Sequence, residues 1–215
     1  MAVDAKICGL TTPEAVATAI EHGASHIGLV FFAKSPRNIA PQAAGKLSSL
    51  ATGKVIRTGL IVDESDERIA AILAACPLDL LQLHGQETPE RVADIRRRFG
   101  LPVMKALQIG TAADLARARS YETTADRLLF DAKPPAGKTD ALPGGNAVSF
   151  DWSLLAGQDF QIPWMLAGGL TADNLAGAVR ASGARAADTS SGVEDRPGLK
   201  NLQKIKDFLR IAGEL

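Results

Sequence analysis

The sequence predicts a single-domain α/β protein of the (β/α)8 TIM-barrel class, spanning residues 1–215. Three observations carry this expectation. Eight short apolar or β-branched runs recur about two dozen residues apart, too far to pair as hairpins. Amphipathic segments with helix start and stop signals lie between them, which calls for right-handed crossovers and parallel neighbours. An open doubly wound sheet would use the same units, but eight regular units without a dinucleotide-binding glycine fingerprint favour the closed barrel.

The first strand is expected at Ala5–Cys8, and alternation turns Lys6 and Cys8 to one side, into the barrel, with Cys8 nearest the mouth. A helix follows: Thr12 caps, Pro13 suits the first turn, Val16, Ala19 and Ile20 form an apolar stripe, and Gly23 closes the last turn. Strand two, Ile27–Phe31, leads into the loop Lys34-Ser35-Pro36-Arg37. Strand three, Val55–Val62, ends at Asp63, read as the cap of the third helix, and Cys76 before Pro77 reads as packing. Strand four, Asp79–Leu83, puts His84 at the rim, and the Thr88-Pro89-Glu90 start, the Val92, Ile95, Phe99 stripe and Gly100 delimit the next helix.

Strands five and six are Val103–Leu107 and Leu128–Asp131. After the sixth, residues 133–148 carry three prolines and three glycines with no usable period. So long a loop is either a disordered connection or a lid, and its place at a strand C-terminus favours the lid. Strand seven, Trp164–Ala167, precedes a helix opening at Thr171, with Leu175 and Val179 on one face and Gly183 at its end. Strand eight is Ala184–Asp188.

Composition narrows the function classes. Basic and acidic residues balance at 24 each, so no long-range field draws the chain to nucleic acid or an anionic membrane. No apolar run approaches the ~20 residues of a membrane span, and the N-terminus lacks the apolar core of a signal peptide. A soluble, cytoplasmic protein is expected. With only Cys8 and Cys76, and no Cys/His cluster, neither a disulfide nor a metal is expected.

In a barrel of this class the chemistry sits at strand C-termini. Gly168 and Gly169 after strand seven, and Ser190, Ser191 and Gly192 after strand eight, supply close backbone approach and hydroxyls where such barrels commonly hold phosphate. Cys8 stands just before a helix start, whose dipole would lower its pKa and make it a usable base. Asp131 ends an apolar strand. Lys133 beside it would keep it ionised, whereas apolar walls would let it hold a proton; the sequence leaves both open. Arg37 could fork onto a carboxylate, and His84 lies at the rim.

Taken in order along the whole chain, K-I-C-G-L-T, S-P-R, L-Q-L-H-G, F-D, A-G-G-L and S-S-G-V-E resemble the motifs of the phosphoribosylanthranilate isomerase family. The first is the most specific, and the last, followed by Pro197-Gly198-Leu199-Lys200, nearly as much. The resemblance implies an Amadori rearrangement of N-(5-phosphoribosyl)anthranilate to 1-(2-carboxyphenylamino)-1-deoxyribulose 5-phosphate in tryptophan biosynthesis, with no cofactor or metal. By position Cys8 matches the family's general base and Asp131 its general acid. Arg37 matches the anchor of the anthranilate carboxylate, and Gly168, Gly169, Ser190, Ser191 and Gly192 the phosphate loops. His84 is near the site without an equally clear role. Asn201 departs from the acidic residue expected after Lys200.

Two rivals are weighed. The histidine-pathway isomerase runs the same rearrangement on an aminoimidazole substrate but calls for an acidic residue where this chain has Cys8. A catalytically silent phosphosugar-binding barrel would bind without turnover. The partner expected is a small phosphoribosyl substrate, and the assembly is left open between monomer and homodimer.

Overall fold

The computed structural model describes residues 2–133 and 149–215. The expected lid lies outside the described residues except for its first member, Lys133.

Eight parallel strands close into one barrel in sequence order: β1 (Asp4–Cys8), β2 (His26–Val30), β3 (Ile56–Ile61), β4 (Leu80–Leu83), β5 (Val103–Ile109), β6 (Arg127–Ala132), β7 (Trp164–Leu166) and β8 (Ala186–Thr189). The seam is made by β1 on β8, with Lys6 opposite Asp188. Outside lie α1 (Pro13–Glu21), α2 (Pro41–Leu50), α3 (Asp66–Ala75), α4 (Pro89–Phe99), α5 (Ala112–Ala118), α6 (Ala172–Ser182) and α7 (Leu202–Glu214). A two-stranded hairpin, β9 (Glu194–Arg196) with β10 (Leu199–Lys200), stands between β8 and α7.

The caps follow the side-chain chemistry. Thr12, Thr88 and Thr171 each accept a backbone N–H from the third residue on, and Thr171 forms a reciprocal capping box with Asn174. Gly100 and Gly183 close α4 and α6 in the left-handed conformation that a side chain disfavours.

Strand alternation divides the core in two. On β5, Met104 and Ala106 join Leu80, Leu129, Met165 and Ala167 in the barrel interior, while Val103, Leu107 and Ile109 face the helical layer. On β1 the same parity sends Ala5 and Ile7 outward, leaving Lys6 and Cys8 inside.

Two expectations are corrected. A helix was expected in every gap, but among the described residues the β6–β7 connection carries only a single 3-10 turn, Trp152–Leu155, capped by Asp151. Asp63 does not cap α3: Ser65 does, accepting from the Arg68 N–H. Asp63 instead takes a left-handed φ of 50° and its carboxylate accepts from the Gln86 N–H, tying the loop after β3 to the loop after β4. A serine two residues nearer the helix meets the orphan N–H first, which frees Asp63 for the neighbouring loop.

Candidate active site

Strand C-termini converge on one cavity at the barrel mouth. Eight of the nine predicted site residues border it: Cys8, Arg37, His84, Asp131, Gly168, Gly169, Ser190 and Ser191. Gly192 lines the adjoining groove with Gly169 and Thr171.

Cys8 is 4% exposed. The room for its Sγ comes from Gly28 on β2, where a Cβ would stand 2.7 Å from the sulfur. The expected lowering of its pKa is not what the surroundings produce. Burial pushes the thiol up; Lys6 and Lys200 pull it down and Asp188 pushes it up again, and the balance stays above the ordinary thiol value. Lys6 cannot give its full charge to the sulfur because it is bonded to Asp188 at 2.8 Å. A helix dipole of about half a charge is a smaller effect than complete desolvation.

Asp131 points into the cavity, and Lys133 is not its partner: that ammonium lies 3.4 Å from Asp114. Asp131 Oδ1 accepts the Ala132 N–H, and Oδ2 lies 3.3 Å from His84 Nε2. His84 Nδ1 is 3.1 Å from the Gln82 amide nitrogen, which fixes the ring from behind and leaves Nε2 facing the carboxyl group. Gln82, not singled out from the sequence, thus connects the strand interior to Asp131.

The loops after β7 and β8 are built around glycine. Gly168 and Gly169 have φ of 90° and 64°, and a Cβ on Gly168 would fall 2.7 Å from the Ala132 nitrogen. A Cβ on Gly192 would fall 1.8 Å from the Leu170 oxygen, an impossible approach. Thr189 Oγ1 donates to Leu170 O and Asn174 Nδ2 to Gly169 O, so the two loops and α6 hold one another. The successive N–H groups of Gly168, Gly169 and Leu170 find no acceptor among the described residues. All three residues border the cavity, where successive backbone N–H groups suit an anion.

Arg37, read as a loop residue, is 5% exposed. Its Nε and Nη2 donate to the two oxygens of Glu194, both at 2.8 Å. Glu194, Lys200 and Lys6 stand in the sequence motifs, but nothing in those motifs assigns them a role. Arg37 and Glu194 lie 157 residues apart and Lys6 and Asp188 182, too far for local pattern to find, and the hairpin of β9 and β10 is what folds Lys200 back on Glu194.

A family model described as N-(5'phosphoribosyl)anthranilate (PRA) isomerase matches residues 5–210. The N-(5'-phosphoribosyl)anthranilate isomerase of Paramagnetospirillum magneticum is 57% identical over 212 residues, covering 99% of this chain and 98% of that one. Among solved structures, phosphoribosyl anthranilate isomerase from Thermotoga maritima superposes with a TM-score of 0.88 at 36% identity, covering 99% and 100% of the two chains. A phosphoribosyl anthranilate isomerase in complex with reduced 1-(o-carboxyphenylamino)-1-deoxyribulose 5-phosphate superposes with a TM-score of 0.85 at 34% identity and the same coverage.

Proposed function

This chain belongs to the N-(5'-phosphoribosyl)anthranilate isomerase family and isomerises N-(5'-phosphoribosyl)anthranilate in tryptophan biosynthesis, and from that premise we propose that Asp131 and Cys8 carry the proton transfers. One observation supports this reading above others: the thiol and the carboxyl group border a single cavity that the glycine-rich pair of loops also lines.

Asp131, protonated, donates to the furanose ring oxygen. The C1–O bond breaks and the anthranilate nitrogen lone pair forms an iminium at C1. The Cys8 thiolate then removes the proton from C2, and the electrons of that C–H bond close the enolamine. Tautomerisation moves a proton to C1 and leaves the C2 ketone, so the product is an isomer of the substrate. His84, held by Gln82, places its Nε2, which makes no hydrogen bond of its own, 3.3 Å from the Asp131 carboxyl group, near enough to support its negative charge once the proton has gone.

Gly168, Gly169, Ser190, Ser191 and Gly192 hold the phosphate through backbone N–H groups and hydroxyls. Arg37 holds the anthranilate carboxylate. With both ends of the substrate anchored, the reacting carbon is confined between acid and base, which raises their effective concentration. The enzyme works in the cytoplasm, as a monomer or a homodimer. Among the described residues no helix is long and apolar enough to cross a membrane.

The test is a turnover assay with N-(5'-phosphoribosyl)anthranilate on the wild type, Cys8→Ala and Asp131→Asn. Both variants are expected to fold and to lose about a thousandfold in kcat. A wild-type rate in either folded variant removes that residue from the mechanism.

A further inference from the structure

Arg37 and Glu194 lie 157 residues apart in sequence, yet their side chains are almost fully buried against each other. A guanidinium has two forks of paired donors: the side edge, Nε with Nη2, and the end, Nη1 with Nη2. Glu194 occupies the side edge with both carboxylate oxygens. Nη1 has no partner among the described residues, although Arg37 borders the same cavity as Cys8 and Asp131.

The surroundings are shaped to hold this arrangement. The Arg37 stem passes over Gly9, where a Cβ would lie 2.6 Å from Arg37 Cδ. The tip of the β9–β10 hairpin seats Gly198 on the Pro36 carbonyl, where a Cβ would stand 2.5 Å from the oxygen. Glu194 also accepts from Lys200 Nζ at 2.7 Å. That ammonium donates in turn to Ser190 O at 2.8 Å and Ser190 Oγ at 3.2 Å, and Ser190 Oγ donates to the Cys8 carbonyl at 3.0 Å. Burial pushes the Glu194 carboxyl up, but the bond from Arg37 and the charge of Lys200 outweigh it and keep it ionised below the ordinary range. Two cations then face one anion, leaving the cluster a single negative charge short of balance, and a ligand carboxylate supplies it.

Resting on the reading of Arg37 as the carboxylate anchor, we propose that Glu194 is the positioning residue that sets Arg37 for the aromatic carboxylate. An arginine freed from Glu194 would still carry charge, but its end fork would no longer be held in one orientation. Recognition of the carboxylate is what suffers, while the rest of the ligand is bound as before.

The experiment compares two probes by calorimetry: reduced 1-(o-carboxyphenylamino)-1-deoxyribulose 5-phosphate and its anilino counterpart lacking only the carboxylate. The ratio of their dissociation constants reports carboxylate recognition alone. In Glu194→Gln that ratio is expected to fall about tenfold while the anilino compound binds with unchanged affinity. Glu194→Asp keeps the charge but is one methylene short, and is expected to lose part of the same ratio; it decides the matter should Glu194→Gln not fold. Equal weakening of both probes would make Glu194 merely structural, and an unchanged ratio would make it irrelevant; either overturns the proposal. Arg37→Ala separates the premise: a full carboxylate preference in that variant means Arg37 is not the anchor. A preference lost in Arg37→Ala but kept in Glu194→Gln sinks only the role of Glu194.

Discussion

At Cys8 the protein surrounds a base with conflicting influences, and desolvation prevails over two nearby ammonium groups. Since kcat/KM reports the free enzyme, it is expected to climb with pH past neutrality as the thiolate fraction grows, its limb lying above the ordinary thiol range. A pH–rate profile already flat at neutral pH would show that the thiolate is stabilised more strongly than its surroundings indicate. A second titrating group sits at the other end of the barrel. His26 is 2% exposed, its Nε2 has no hydrogen-bond partner among the described residues, and burial with Lys6 and Arg127 lowers its pKa to about 4. The unfolded chain takes up that proton near pH 6.5, whereas the folded chain refuses it until about pH 4. Stability is therefore present above the unfolded value and is lost as pH falls between the two, by at most about 3 kcal/mol from this residue. Urea unfolding of wild type and His26→Gln at both ends of that window measures it: the variant is expected to lose correspondingly less stability on acidification, and parallel losses would exclude His26.

At the scale of elements, glycine placement converts sequence into a binding surface. A methyl group at Gly192 would collide with the Leu170 carbonyl, which belongs to the other loop, so both loops must move apart. Gly192→Ala is expected to raise KM at least tenfold with a smaller change in kcat, and the weaker binding of inorganic phosphate as a competitive inhibitor would locate the defect. Unchanged phosphate inhibition would take these loops out of the anion site. The caps and stripes that defined α1, α4 and α6 were readable because they act over three or four residues, as Thr171 and Asn174 do. The inward turn of Cys8 followed from strand parity alone. What the chain did not disclose were bonds made across it: Arg37 with Glu194, Lys6 with Asp188, and the Gln86 N–H with Asp63. Each depends on the register of neighbouring strands or loops, which no window of one strand and one helix contains.

Over the whole molecule, closing the barrel forces a decision at the seam. Hydrogen bonding of β1 to β8 sets Lys6 opposite Asp188, 182 residues away, and both side chains turn into the barrel, where Asp188 borders the cavity. Lys6 is completely buried; burial alone would pull its pKa down, but Asp188 and Cys8 outweigh that and hold it above the ordinary lysine value. Such a pair is a poor source of net stability, because removing both charges from water costs about what their attraction returns. Breaking it is another matter. Lys6→Met leaves a carboxylate buried without its cation and is expected to cost about 3–5 kcal/mol in urea unfolding. Lys6→Met with Asp188→Leu removes the stranded charge, and the double variant is expected to recover most of that loss. Should the double variant be as unstable as the sum of the two singles, the two side chains would be energetically uncoupled, and a stranded charge would not be the cause of the loss. Recovery of stability without recovery of turnover would instead mean that the ions persist in the barrel because Cys8 needs a charged floor beneath it.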